Sequence, residues 1–397
     1  MLSKITILRR FNHRSLLIVQ SMLGVFLFWC ALYLFVPTLP LYAQSKTSNL
    51  SLVGLALAQY GLWQAILRFP LGLTADWLGR RKPFIFMGFL LAAMGAWLMH
   101  SAGDITGVAI GRAVTGLAAS SWVLLMVAYS GLFDPSEATR AAASLNVMSS
   151  LAIGVSSLVS GPLTNLGGYT AGFVAAMGAA GLGLLVFLPG KEARRPVVRP
   201  SMSSIGQLVT RRDVLGPALL NALQQYIPFA SIFSFTPILA RRLGAANLEI
   251  GLLTTTNLVA TLFGNLLATA LLKRVGERRL VYTSFGVVAI GLGLTAFAPT
   301  VAWLFPSQLL VGIAGGLGFP TLMGMSIANV SEGQRSTAMG LHQAVYGVGM
   351  FAGPWLSGLL ATALGIQPMF AITAAAVLGL GIVGNYMIGS KKLSENN

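Results

Sequence analysis

Two arginines, one histidine and one acidic loop are the parts of this chain whose residue types and settings can do chemistry. Arg68 and Arg112 stand inside long apolar stretches that hold no aspartate or glutamate beside them. An arginine in hydrocarbon costs on the order of 3 kcal/mol or more, so each must face water, a carbonyl or a partner. Two unneutralised guanidiniums repel cations and attract anions. His342 lies in another apolar stretch, followed by Gln343 and Tyr346. An imidazole titrates near neutral pH and can carry a proton; equally, it can pack with a single hydrogen bond. The loop is Gly72-Leu-Thr-Ala-Asp76-Trp-Leu-Gly79-Arg80-Arg81-Lys82, a carboxylate and three cations between two apolar runs. All ten carboxylates of the chain fall in loops or at expected helix ends.

The elements that must position these residues are membrane helices. Of 397 residues, 55% are hydrophobic and 9% charged, where a soluble domain carries roughly 25% charged residues. The apolar runs are about 20 residues long and do not alternate, which selects helices over a barrel. Twelve are expected, at 16–41, 52–74, 83–101, 105–129, 142–164, 169–189, 214–238, 249–272, 280–299, 302–329, 337–361 and 367–389. The first run is too long for a cleaved leader and lacks a small-residue cleavage site. Cys30 is the single cysteine, so no internal disulfide forms, and neither a metal site nor a cofactor is expected.

The formal charge of +16 belongs to topology rather than to nucleic acid. With the N-terminus in the cytoplasm, 21 of the 26 cations fall on the cytoplasmic side, three outside and two within helices. That asymmetry predicts cytoplasmic N- and C-termini and an even helix number. The chain also repeats itself. At an offset of 197, Thr269, Lys273, Gly276, Glu277, Arg278 and Arg279 stand where Gly72, Asp76, Gly79, Arg80, Arg81 and Lys82 stood. Pro40, Ala43, Gly54 and Leu55 match Pro237, Ala240, Gly251 and Leu252. Two looser echoes are Ser136-Glu137-x-x-Arg140 with Ser331-Glu332-x-x-Arg335, and Gly161-Pro162 with Gly353-Pro354. Two parallel six-helix halves are expected, at 1–189 and 214–397, joined by a cytoplasmic linker at 190–213.

The 72–82 pattern resembles the cytoplasmic signature of the major facilitator superfamily, except that Trp77 stands where a basic residue is usual. The resemblance covers essentially the whole chain. It implies an all-α integral membrane protein of twelve transmembrane helices in two pseudo-symmetric six-helix bundles, working by alternating access. By resemblance, Gly72, Asp76, Gly79, Arg80 and Arg81 form a cytoplasmic gate that latches the halves when the cavity faces outward. Gly72 would permit a close helix contact and Gly79 a tight turn. The alternative is a loop that only sets topology. Arg112-Ala-Val-Thr-Gly116 resembles a second element, in which the arginine is linked to proton transfer. Pro37-x-x-Pro40, Gly161-Pro162 and Gly353-Pro354 resemble helix-bending elements of the drug:proton antiporter branch, although Ser157 replaces the first glycine of the helix-five form.

Tyr33, Gln59, Gln64, Trp122, Gln225, Tyr226 and Asn257 are expected at cavity depth, and such a mix of aromatics and amides suits amphipathic organic molecules. Arg68, Arg112, His342, Gln343 and Tyr346 are the expected coupling or substrate residues. The leading reading is a secondary exporter of small amphipathic compounds driven by protons, a monomer of the plasma (inner) membrane. A transporter of organic anions that uses Arg68 and Arg112 is the alternative, and a membrane sensor that moves no substrate is the third. No enzyme active site and no nucleic-acid contact are expected.

Overall fold

The computed structural model describes residues 2–134, 137–188, 206, 208–331 and 334–394. Its first bundle runs α1 (Leu2–Tyr33), α2 (Leu39–Lys46), α3 (Leu50–Leu78), α4 (Lys82–His100), α5 (Ile105–Ser120), α6 (Trp122–Ser130), α7 (Ala138–Gly167) and α8 (Tyr169–Phe187). The second runs α9 (Arg212–Ala230), a π-helical turn at Ser231–Phe235, α10 (Thr236–Arg242), α11 (Asn247–Val275), α12 (Glu277–Ala296), α13 (Val301–Ile327), α14 (Arg335–Leu364) and α15 (Ile366–Ser394). Eleven of these paths are long and apolar enough to cross a membrane. The twelfth is the path from Arg212 to Arg242, made less apolar by Asn221, Gln224 and Gln225 and interrupted by the π turn.

Three expected helices prove to be broken. The first stops at Tyr33 and resumes at Leu39, with Pro37 in the gap and Pro40 in the new first turn. A proline ring disfavours the α conformation of the residue before it and suits the first turn of the next helix. The fourth breaks at Ser121 and the seventh at the π turn. Several helices also start earlier or end later than expected, because backbone hydrogen bonding continues past the lipid into polar flanks. The expected linker at 190–213 lies mostly outside the described residues, and α9 already begins at Arg212.

The repeat is written in the backbone. Gly79 and Gly276 have φ of 62° and 82°, and Gly168 and Gly365 have φ of 68° and 92°. Each pair is separated by the same 197 residues. Positive φ costs a residue with a Cβ roughly 1–3 kcal/mol, and the extended ψ of Gly168, Gly276 and Gly365 is open to glycine almost alone, so these glycines persist where the rest of the loop has drifted.

The bundles meet at the end remote from the basic loops 79–82 and 273–279. There a Cβ on Gly54 would strike the carbonyl of Pro354, and one on Gly358 would lie 2.8 Å from the carbonyl of Leu50. On the opposite flank, one on Gly251 would strike the carbonyl of Ser157, and one on Gly161 would lie 2.5 Å from that of Asn247. Adding 197 to the first bundle's residues converts one crossing into the other. Gly161 is therefore the counterpart of Gly358, and Ser157 of Pro354. The Gly161-Pro162/Gly353-Pro354 echo is out of register by five residues, and that expectation is corrected. Asn247 also donates to Asn165 Oδ1 at 2.7 Å, joining α11 to α7.

Gly72, at the basic end, behaves differently. A Cβ there would meet nothing within 4 Å, so among the described residues Gly72 makes no close contact. The side chain of Asp76 lies outside the described residues.

Candidate functional site

Arg112 is placed by two small features of its helix. Asp104 Oδ1 accepts from the Gly107 amide at 2.9 Å and starts α5, which carries Arg112 about 12 Å inward at ~1.5 Å per residue. Gly116, one turn further, lets α5 approach the backbone of Tyr60, where a Cβ would lie 2.6 Å from the carbonyl. That approach sets the Arg112 guanidinium 4.2 Å from the centroid of the Tyr60 ring. The spacing Arg-x-x-x-Gly thus has a direct geometric meaning: one residue brings the helices together and the other stacks on what is met. Arg112 is 4% exposed, and its Nε and Nη1 have no hydrogen-bond partner among the described residues.

Arg68 crosses between the bundles. It donates to the hydroxyl of Tyr346 and, at 2.5 Å, to Gln64 Oε1. Its guanidinium also lies over the Tyr346 ring, 5.6 Å from the centroid. Tyr33 and Tyr60 lie within electrostatic reach of both arginines.

Aromatic rings complete this layer. Tyr60 stacks on Phe229 of the other bundle with centroids 6.1 Å apart, and Tyr33 meets Phe233 edge-on at 5.9 Å. Trp29 bridges Tyr33, at 5.5 Å, and Trp122, at 5.2 Å. Phe233 belongs to the π turn, and a π bulge of this kind re-aims side chains at functional sites.

His342 is fully buried one turn before Tyr346. Its Nε2 lies 2.6 Å from Asn221 Nδ2. With the amide donating, the ring proton sits on Nδ1, which has no partner among the described residues. Gln224, one turn along α9, donates to Ser284 Oγ at 2.6 Å.

The remaining expected residues are scattered. Gln59 donates to Leu55 O of its own helix at 3.3 Å. Asn257 is buried and donates to Gln308 O at 3.2 Å, joining α11 to α13. Tyr226 is bonded to Ser357 Oγ at 2.8 Å and lines a groove on the flank of the second bundle rather than the central layer. Gln225 and Gln343 are half-buried. Trp29, Asn221, Gln224, Phe229 and Phe233 belong to the site's surroundings but were not among the expected residues. For Asn221 and Gln224 a signal existed: two amides three residues apart on an apolar helix.

Two helical bundles that cross a membrane, joined at one end and enclosing polar, aromatic and cationic side chains at mid-depth, define a membrane carrier. The Major Facilitator Superfamily model matches residues 21–244 and 218–395, and the chain belongs to that superfamily of transporters. An uncharacterised MFS-type transporter of Methanocaldococcus jannaschii is 21% identical over 87% of this chain and 92% of its own length. The class G tetracycline resistance protein of Vibrio anguillarum is 28% identical over 83% of this chain and 84% of its own. Among solved structures, a bacterial homolog of the human lysosomal transporter Spinster, inward-facing and unoccupied, superposes with a TM-score of 0.80 at 12% identity. That alignment covers 96% of this chain and 98% of the other.

Proposed function

We propose that this transporter exports amphipathic, aromatic organic compounds bearing an anionic group, and that Arg68 and Arg112 read that group. The observation that carries this reading is Arg112, nearly buried, stacked on Tyr60 and holding two unpartnered donors. No carboxylate among the described residues contacts either arginine. Such a field repels cationic drugs and attracts anions, while the surrounding rings take up an aromatic body. With the basic end in the cytoplasm, the two glycine crossings seal the outer face. This is the arrangement from which cytoplasmic cargo is loaded. Proteoliposomes preloaded with fluorescent aromatic carboxylates and with isosteric aromatic amines provide the test. Carboxylate flux should exceed amine flux at least about tenfold, and Arg68→Gln should erase the preference. Equal fluxes would overturn it.

Proton antiport is the proposed driving force. The buried His342–Asn221 pair offers a site for the proton, and a relative named as a tetracycline resistance protein fits a carrier of drug-like compounds. An imposed pH gradient should raise export several-fold, and His342→Gln should leave residual flux indifferent to that gradient. A wild-type flux that ignores the gradient would overturn coupling.

A further inference from the structure

A large cavity lies away from the central layer. It is a groove of about 1770 Å³ on the flank of the second bundle, floored by α9 and walled by α14 and α15. Ordinary small-molecule pockets hold roughly 300–1,000 Å³. Leu219 on its floor and Val348 and Leu380 on its walls are 61%, 56% and 59% exposed, so the groove opens sideways, where hydrocarbon lies. Small residues make it deep: Gly349 and Gly384 allow α14 and α15 to sit close to α9 on either side. It runs from Arg212 to Tyr226, about 21 Å along α9 at ~1.5 Å per residue. One leaflet is about half of the ~30 Å hydrocarbon core, so the groove is long enough for an acyl chain.

Its mouth lies at the basic end and is positively charged. Four arginines, Arg211, Arg212, Arg278 and Arg279, stand there with two carboxylates, Asp213 and Glu277. Arg211 is engaged by Asp213, with Nη2 to Oδ2 at 2.7 Å, and donates to Asn329 O at 3.0 Å. Arg278 is held to α15 by the carbonyl of Asn385 at 3.3 Å, and Asn385 Nδ2 returns a bond to Arg278 O at 2.9 Å. The mouth is therefore built rather than loose. Arg212 and Arg279 have no ion pair among the described residues.

From this we infer that the groove binds an anionic phospholipid of the leaflet at the basic end, with acyl chain on α9 and phosphate between Arg212 and Arg279. Charge complementarity selects this occupant, because a cationic mouth over an apolar, leaflet-long trough matches a headgroup phosphate above a chain. Basic pockets between helices on the cytoplasmic side capture anionic headgroups by the same physics. Site and cargo are separate: the groove involves neither Arg68 nor Arg112.

Native mass spectrometry of the purified full chain with phosphatidylglycerol or phosphatidylcholine tests this. One retained phosphatidylglycerol is expected. Arg212→Gln and Arg279→Gln should each weaken retention about fivefold, the equivalent of ~1 kcal/mol per cation near the surface. Leu219→Trp, which fills the trough and keeps every charge, should also reduce retention, while Arg80→Gln on the other bundle should not. Equal retention of phosphatidylcholine would overturn the charge recognition. A loss with Arg80→Gln as large as with Arg212→Gln would overturn the location.

Discussion

Replacing Arg112 by methionine should lower transport by at least about thirty-fold without lowering thermal stability. The two halves of this expectation come from the same geometry. Arg112 is buried, its guanidinium rests on the Tyr60 ring, and Nε and Nη1 have no partner. Its charge is therefore a cost in the empty protein, on the order of 3 kcal/mol or more, offset in part by a desolvated cation–π contact of about 2 kcal/mol. Methionine fills the space and removes the charge, so the melting midpoint should hold or rise. Losing one side of a buried charge contact with cargo costs about 2–5 kcal/mol, which is where the thirty-fold minimum arises. Arg112→Lys keeps the charge but not the planar fork, and should fall between the two. Tyr60→Leu should reproduce much of the arginine defect by removing the stacking surface, whereas Tyr60→Phe should be mild. Export rates in proteoliposomes and differential scanning fluorimetry measure the two quantities. A methionine variant that melts early and transports poorly would make Arg112 a structural residue and remove it from the proposed recognition.

What the sequence could show followed contrast. Arg68, Arg112 and His342 were legible because a polar group in an apolar run carries a large free-energy penalty that demands a reason. The repeat was legible because a turn glycine (Gly79 with Gly276) and a close-contact glycine (Gly54 with Gly251) resist substitution. The aromatic layer was not legible, since Trp29, Phe229 and Phe233 are apolar residues in apolar helices. Depth could be counted at ~1.5 Å per residue, but face could not. A membrane helix is apolar toward lipid and toward its neighbours alike, so no hydrophobic stripe marks its inward side. Hence Gln225 and Tyr226 were expected in the cavity, while Asn221 and Gln224, on the face toward His342 and Ser284, were not. The misregistered Gly-Pro echo has a related cause. A dipeptide match is local, whereas the repeat preserves close backbone approach, which needs glycine at Gly161 and Gly358 and is indifferent to the neighbouring proline.

That backbone approach supports the second large effect. Gly54→Val and Gly251→Val should each hold the outer face open and slow export tenfold or more. Their Cβ atoms would strike main-chain carbonyls, of Pro354 and Ser157. A carbonyl within a helix cannot rotate away as a side chain does, so the bundles themselves must part. Overpacking of this kind costs about 1–3 kcal/mol, enough to shift the balance between closed and open outer face about five- to 150-fold. Because the crossings are related by the repeat, the two variants should be similar and the double variant worse than either. Gly178→Val, where a Cβ meets nothing within 4 Å, should leave transport unchanged. Accessibility gives an independent readout. In a Cys30→Ser background, Ala58→Cys is fully buried on α3 and should resist an impermeant maleimide until Gly54→Val is added. One asymmetry bears on the comparison. The α3–α14 seam continues inward through Gly61, whose Cβ would lie 2.5 Å from the Phe351 amide, while Leu258 occupies the repeat position on α11. The α3 side is thus the longer zipper. If Gly54→Val proves far weaker than Gly251→Val, the deeper contacts at Gly61 are holding that flank shut, and adding Gly61→Val should restore parity. Unchanged labelling and unchanged export in both single variants would mean that the outer face is closed by something other than these crossings.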